Sequence, residues 1–383
     1  MPICPITGLQ FEHHELERKH YERFGMPVPD IHPLARGIQK MAHSNSWGLY
    51  WTVDARTGKK IMSCYDPAEH PVIYDRTYWM SDEFDAREYG RDFDFSRPFF
   101  DQYFQMVATI PKPNLTVLAS EHTDYCNNIY SSKNCYLSFN MVGSENVFYS
   151  VGGHESRDCM QLYNCRGCEL SYACSNCFKG YRLRWSEFCT NCTESAFLSN
   201  CADCTNCYQC ANLRHKSFCI QNEQYTKEEY EARMRDIDLG SWRVFQEEEK
   251  IWEEFLDTQP LQAQRTINCE DSAGVLMTNC KSCIHCANLS TADQCYSCWG
   301  NVQSENSDSS GEDGQYNTNA LGVVATQRAV NCLWVEHSYD VFYCQYAIQS
   351  HDCFGCFGVK KGAQCILNRA YPVHEYEALN EKI

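Results

Sequence analysis

The stretch that decides the fold of this chain is Cys189-Thr-Asn-Cys192-Thr-Glu-Ser-Ala-Phe-Leu-Ser-Asn-Cys201-Ala-Asp-Cys204-Thr-Asn-Cys207-Tyr-Gln-Cys210-Ala-Asn-Leu-Arg-His-Lys-Ser-Phe-Cys219. Cysteine returns here after 9 or 12 residues, and the same spacing runs back along the chain. All but one of the positions in this series are cysteine: Cys126, Cys135, Val147, Cys159, Cys168, Cys177, Cys189, Cys201, Cys210 and Cys219. A regular return of small side chains indicates a repeat architecture in which each repeat stacks on the next.

A period of 21 residues connects many of these positions, as in Cys168, Cys189 and Cys210. Together with short β-like stretches, it predicts a parallel β-solenoid with coils of about 21 residues, whose small side chains point inward. Asparagine suits tight corners because it tolerates the left-handed backbone conformation. It directly precedes a cysteine at Asn134, Asn164, Asn176, Asn191, Asn200 and Asn206.

The end of this block is duplicated later in the chain. The pattern Cys207-x2-Cys210-x8-Cys219-Ile-x-Asn-x2-Tyr225-x4-Tyr230-Glu-Ala returns 146 residues further on, beginning at Cys353. The 21-residue spacing also returns between Cys332 and Cys353. We therefore predict two solenoid segments, the second of which is interrupted by a polar loop at residues 304–314.

The residues between the two blocks predict helices. Thr226 and Glu229 have the spacing of a capping box, and apolar residues recur at helical intervals between Trp242 and Leu256. The predicted fold is mainly β: a duplicated parallel β-solenoid with an N-terminal α+β domain and an inserted helical cap. The predicted domains are 1–115 (α+β), 116–222 (first solenoid), 223–262 (helical cap) and 263–383 (second solenoid with a short C-terminal cap).

Composition narrows the classes of partner. The net charge is −17 and the sequence pI is about 5.2, which argues against broad nucleic-acid binding and favours a basic protein partner or simple solubility. Residues 1–20 show no export signal, and no apolar run is long enough to cross a membrane. We therefore expect a cytoplasmic location with reduced thiols, so metal binding and packing are weighed before disulfides.

Three roles compete for the 27 cysteines. Thiolates spaced by three residues can share a zinc ion or an iron–sulfur cluster, with zinc the first candidate. Buried thiols can also simply fill a narrow core without any cofactor, or act as redox groups. The candidate metal ligands are Cys201, Cys204, Cys207, Cys210, Cys280, Cys283, Cys286, Cys165, Cys168, Cys174 and Cys177.

The stretch Tyr89-Gly-Arg-Asp-Phe-Asp-Phe-Ser-Arg-Pro-Phe-Phe-Asp-Gln-Tyr103, with the Asn-Cys coils, resembles a cysteine-rich, zinc-ribbon-like family of Candidate Phyla Radiation (Patescibacteria) bacteria. The resemblance implies two N-terminal Cys-x2-Cys knuckles around one zinc. The matching positions of this chain are Cys4, Thr7, His32 and Ala35, so only two of the four could ligate. The resemblance implies no particular activity.

Three functions remain open at this point. The leading hypothesis is a non-enzymatic scaffold or binding protein, because long solenoids offer extended surfaces and no recognisable catalytic constellation occurs. The second is a metal–thiolate protein that stores metal or carries electrons. The third is a thiol-dependent oxidoreductase or hydrolase.

Overall fold

The computed structural model describes residues 1–23, 27–32, 35, 47–70, 72–262, 265–281, 283–293, 299–305, 321–324, 333–336 and 339–383. Most of the predicted loop at 304–314 lies outside these described residues. Cys295, Cys298 and Cys332 also lie outside them.

A three-residue backbone pattern builds the first solenoid. Every third residue from Ala119 to Gln221 has a positive φ. Each left-handed residue turns the chain through a corner, and four corners close one coil. The six asparagines predicted at corners all have φ between 49° and 54°. These φ values confirm the prediction. Asparagine suits the corners because its side chain tolerates this conformation better than those of other non-glycine residues.

The coil length is 12 residues, and the expected 21 is wrong. Neighbouring parallel strands pair at an offset of 12, as in Thr193 with Thr205 and Thr205 with Ser217. Spacings of 9, 12 and 21 are all multiples of three. Each of these spacings therefore connects two inward positions. Only the spacing of 12 residues connects positions at the same corner of neighbouring coils. The parallel solenoid itself is confirmed.

Strands β1 to β4 precede the first solenoid: Tyr50–Val53, Lys60–Ser63, Ile73–Tyr74 and Lys112–Pro113. The first solenoid contains β5 to β17: Val117–Leu118, Glu121–Asp124, Asn127–Tyr130, Lys133–Tyr136, Phe139–Val142, Glu145–Phe148, Arg157–Met160, Tyr172–Ser175, Tyr181–Glu187, Thr193–Ser199, Thr205–Ala211, Ser217–Ile220 and Glu223–Gln224. These strands form one sheet in the order β17-β16-β15-β14-β13-β12-β11-β10-β8-β6 and another in the order β5-β7-β9.

The second solenoid contains β18 to β28: Thr266–Ile267, Ala273–Thr278, Ile284–Asp293, Trp299–Glu305, Leu321–Val324, Leu333–Glu336, Tyr339–Phe342, Gln345–Ile348, His351–Phe354, Ala363–Ile366 and Arg369–Ala370. The described helices are α1 to α6: Glu15–Arg23, Arg76–Met80, Phe99–Thr109, Lys227–Met234, Trp242–Leu256 and Val373–Asn380. A 3₁₀ helix spans Ala86–Tyr89. No helix in the described ranges is long and apolar enough to cross a membrane.

The duplication is confirmed residue by residue. Helix α4 (227–234) and helix α6 (373–380) lie 146 residues apart, as do their preceding antiparallel turns. In both copies an asparagine closes the last coil. The Asn222 side chain accepts from the Ala211 amide at 3.0 Å, and the Asn368 side chain accepts from the Phe357 amide at 2.7 Å. Each asparagine replaces the acceptor that a further coil would provide.

The chain forms two compact units. The first unit comprises residues 46–76 and 113–261, and the second comprises 1–45, 77–112 and 262–383. The predicted N-terminal domain at 1–115 is therefore divided between the units. In the first unit, β1 and β2 pair antiparallel, and the Cys64 amide donates to the Asn114 carbonyl at 2.8 Å. Cys64 and Leu115 join the apolar core of the first solenoid.

The corner rule, by which every third residue must adopt a positive φ, can be tested at Asn191. This residue has a φ of 51°, and its side chain donates to the Asp203 carboxylate at 3.1 Å. We expect Asn191→Val to lower the free energy of unfolding by about 1–3 kcal/mol, because a β-branched residue is strained at positive φ. Urea denaturation measures this. Asn191→Gly is the matched control and should cost less than about 1 kcal/mol, since glycine adopts this conformation freely. Equal effects of the two changes would contradict the corner rule.

Candidate functional site

Every third residue of the first solenoid points inward, directly after a left-handed corner. All fourteen cysteines between Cys126 and Cys219 lie at multiples of three residues from Cys126. Each has at most 2% of its surface exposed. The spacing of 9, 12 and 21 left five cysteines without a reason: Cys165, Cys174, Cys192, Cys204 and Cys207. The three-residue rule accounts for all of them as core residues.

Inward cysteines and serines carry hydrogen bonds that the coil requires. Each of the 21 solenoid cysteines whose side chains are described donates its thiol hydrogen to the carbonyl two residues earlier. Ser144 shows the full pattern: its hydroxyl donates to the Val142 carbonyl at 3.1 Å and accepts from the Ser156 amide at 3.2 Å. Cys165 likewise accepts from the Cys177 amide at 3.4 Å. A buried amide without an acceptor is costly, so small polarisable side chains are favoured inside this coil.

The thiols also contact one another along the core. The Cys189 thiol lies in hydrogen-bonding contact with Cys177 and Cys192, and Cys192 in turn contacts Cys204. Burial raises the pKa of the Cys159 thiol to about 12. The Cys204 sulfur lies in contact with neighbouring thiols, first among them Cys192. Cys204 is fully buried, so this thiol has no contact with solvent.

The predicted metal ligands of the first solenoid all lie in its core. Cys201, Cys204, Cys207 and Cys210 occupy the four successive inward positions of one coil, each on a different side. Cys165 and Cys177 lie 12 residues apart, at the same position of neighbouring coils, and Cys168 and Cys174 lie at two inward positions between them. Among the described residues, no group of three or more His, Cys, Asp or Glu side chains could hold a metal ion. A metal at these positions would have to displace the thiol-to-carbonyl hydrogen bonds.

The candidates of the second solenoid are only partly described. Cys280 and Cys283 are buried and donate to the carbonyls of Thr278 and Lys281, both at 3.3 Å. Cys286 lies in β20, where the backbone is described but the side chain is not.

The N-terminal residues matched by the family resemblance form a knuckle-like turn. The Cys4 amide donates to the Leu9 carbonyl, and the Gly8 amide donates to the Cys4 carbonyl, both at 2.9 Å. Burial alone would raise the pKa of the Cys4 thiol. Hydrogen bonds from the Thr7 side chain and the His32, Thr7 and Ile6 backbone lower the pKa to about 7. The arrangement brings the two degenerate knuckles together, and of their four matched positions only Cys4 and His32 could ligate a metal.

One outward face of the first solenoid is aromatic. We call it the aromatic wall: two adjacent columns in which residues return every 12 positions. The first column is Tyr125, Leu137, Tyr149, Gln161, Ala173, Trp185, Phe197 and Gln209, and the second is Asp124, Tyr136, Phe148, Met160, Tyr172, Arg184, Ala196 and Tyr208. Sequence reasoning missed this wall because it compared positions at 21 residues. A comparison at 12 would have revealed it.

Helix α5 covers one end of the aromatic wall. The Phe245 ring lies 4.5 Å from Trp185 and 6.0 Å from Phe197, measured between centroids. The Glu248 carboxylate accepts from the Tyr208 hydroxyl and the Gln209 amide, both at 2.9 Å. The predicted capping box of α4, between Thr226 and Glu229, is present as well. The predicted helical cap is therefore confirmed, and it lies on the flank of the solenoid.

Another face carries a groove of about 430 Å³ with charged walls. Its lining includes Lys133, Glu145, Glu155, Arg157 and Glu169. Arg157 lies 3.4 Å from the Glu145 carboxylate, so charges from neighbouring coils neutralise one another. Pairs of this kind between exposed groups contribute little free energy.

Comparison with known proteins adds no assignment. No protein-family profile and no curated protein matches this chain. One solved structure, a putative acetyltransferase from Desulfovibrio desulfuricans G20, aligns at 10% identity over 65% of this chain and 69% of its own, with a TM-score of 0.12. A similarity at that level carries no argument about activity. What the residues themselves establish is a cysteine-rich parallel β-solenoid.

Proposed function

We propose that this protein is a non-enzymatic scaffold whose outward walls bind a protein partner. The observation that carries the proposal is that every described solenoid thiol is used inside the coil, in a hydrogen bond to the backbone two residues earlier. Core cysteines that hold the coil together are not available for chemistry. The surface, with its regular columns of side chains, is then the part that differs from coil to coil and can select a partner.

The test is a thiol count on the native and the denatured protein, combined with elemental analysis after anaerobic purification. We expect the fully buried thiols of the native protein, a set that excludes the half-buried Cys269, to react at least about a thousandfold more slowly than free cysteine, because their reaction requires opening of the coil. All 27 should react after denaturation. We expect no metal in a whole-number ratio to the chain.

The double variant Cys204→Ser, Cys207→Ser is the matched control for the metal–thiolate alternative. If the wild type contains zinc or iron and this variant loses it, the protein is a metal–thiolate protein and the proposal is wrong. One native thiol that reacts rapidly at neutral pH would instead favour a thiol-dependent enzyme. Slow native thiols in a metal-free protein support the scaffold.

A further inference from the structure

The aromatic wall of the first unit has a covered end and an open end. Beyond Trp185 the wall is buried under α5, and Phe197 and Tyr208 have about 1% of their surface exposed. Toward the start of the solenoid the same two columns are open. Tyr125 is 40% exposed, Tyr149 is 51% exposed and Met160 is 39% exposed. Open apolar rows of this kind on a folded surface mark interaction sites.

The second unit shows the same pairing of a helix with this wall. The residues 146 positions after Phe197 and Tyr208 are Tyr343 and Phe354. The Phe99 ring of α3 lies 5.4 Å from Tyr343 and 4.8 Å from Phe354. The helices α3 and α5 come from unrelated parts of the sequence, yet each places phenylalanine on the same columns. The aromatic wall of the first unit and the equivalent columns of the second unit therefore both bind a helix.

The open end repeats the chemistry of the covered end. A shift of four coils, or 48 residues, carries Phe197 onto Tyr149 and Gln209 onto Gln161. Gln209 is the amide that binds Glu248 of α5, and Gln161 is exposed. The rings of the open end already pack on one another, with Tyr136 5.5 Å from Tyr125 and 5.7 Å from Tyr149. This packing fixes the surface before a ligand arrives, which lowers the entropic cost of binding.

We propose that the open end of the aromatic wall, from Tyr125 to Met160, binds an amphipathic helix of a partner protein. That helix presents aromatic side chains to Leu137 and Tyr149 and a carboxylate to Gln161, as α5 does four coils further on. The net charge of −17 does not oppose an acidic helix here, because Asp124 is the only acidic side chain in the open part of these columns. The inference rests on the proposed scaffold function and names its surface and its partner class.

The experiment uses the full chain and a labelled synthetic peptide with the sequence of residues 239–260, which contains α5. Fluorescence anisotropy should show saturable binding. Tyr149→Asp should weaken that binding by about tenfold or more, since it places a charge in the apolar contact. Tyr163→Asp is the matched control, because Tyr163 is 53% exposed and lies on a neighbouring wall. A peptide with Phe245→Ser and Trp252→Ser should not bind.

Three results would overturn the inference. They are absence of saturable binding, equal weakening by Tyr149→Asp and Tyr163→Asp, and concentration-dependent self-association of the chain that Tyr149→Asp abolishes. The last would make a second copy the occupant. If the peptide instead displaced α5 at the covered end, Tyr149→Asp would not weaken its binding, because Tyr149 lies four coils away from that end. A chain with inert thiols, no metal and no peptide binding would refute the helix site and leave the scaffold function standing.

Discussion

Replacing Cys189 by aspartate should abolish the cooperative unfolding transition of the first solenoid. The Cys189 side chain is fully buried among other thiols, and burial raises its pKa well above the ordinary value of 9.0. A carboxylate at this position would lose its hydration and meet the backbone carbonyl of Glu187, which is an acceptor like itself. The cost of burying such a group is several kcal/mol, comparable with the stability of a whole domain. Near-ultraviolet circular dichroism during heating measures the loss.

The matched control is Cys189→Ser. Serine occupies two other corners of the same coil, where the Ser186 hydroxyl donates to the Arg184 carbonyl at 3.0 Å and the Ser195 hydroxyl to the Thr193 carbonyl at 2.7 Å. We therefore expect serine at 189 to keep the hydrogen bond to Glu187 and to cost about 1–2 kcal/mol. A transition that survives Cys189→Asp, or one that serine removes as fully as aspartate, would contradict the packed core.

The repeated elements could be predicted because their residues act locally. Asparagine at a corner, such as Asn191, needs only its own backbone conformation, and the capping box at Thr226 needs only the next turn of the chain. The duplication could be read from matching residues such as Tyr230 and Tyr376, which are both buried. The coil length could not be read in this way. Because Cys168, Cys177 and Cys189 serve equally well at any corner, their spacing does not reveal which corner each one occupies.

Contacts between distant parts of the chain were beyond sequence reasoning. The stretch from Tyr89 to Tyr103 resembles a family signature, but its structural role depends on residues almost 280 positions away. In the second unit the Arg91 amide donates to the Leu367 carbonyl at 3.1 Å, and the Asp92 carboxylate lies 2.7 Å from Arg369. These contacts join residues 86–92 to the closing turn of the second solenoid. No periodicity encodes such a pairing.

Gly90 is the tightest point of that pairing, and Gly90→Ala should destabilise the second unit by about 2–4 kcal/mol. A Cβ atom at Gly90 would lie 2.7 Å from the Asn368 carbonyl oxygen and 2.9 Å from the Arg369 nitrogen. Both are backbone atoms of the turn that closes the solenoid, so neither can move without disturbing it. The Asn368 side chain also donates to the Ala86 carbonyl at 2.8 Å, and the shift would strain this bond as well.

Chemical denaturation monitored by hydrogen exchange can assign the loss to residues 351–371. Gly240→Ala in the first unit is the control, because the nearest atom to its added Cβ is a flexible carboxylate oxygen of Asp238 at 3.1 Å. We expect that change to cost less than about 1 kcal/mol. If Gly90→Ala left exchange at 351–371 unchanged, residues 86–92 would not hold the end of the solenoid. The signature stretch would then need a role outside the fold. Faster hydrogen exchange confined to residues 351–371 would show that residues 86–92 stabilise the end of the second solenoid. The outward walls would then remain the candidate surface for binding a partner.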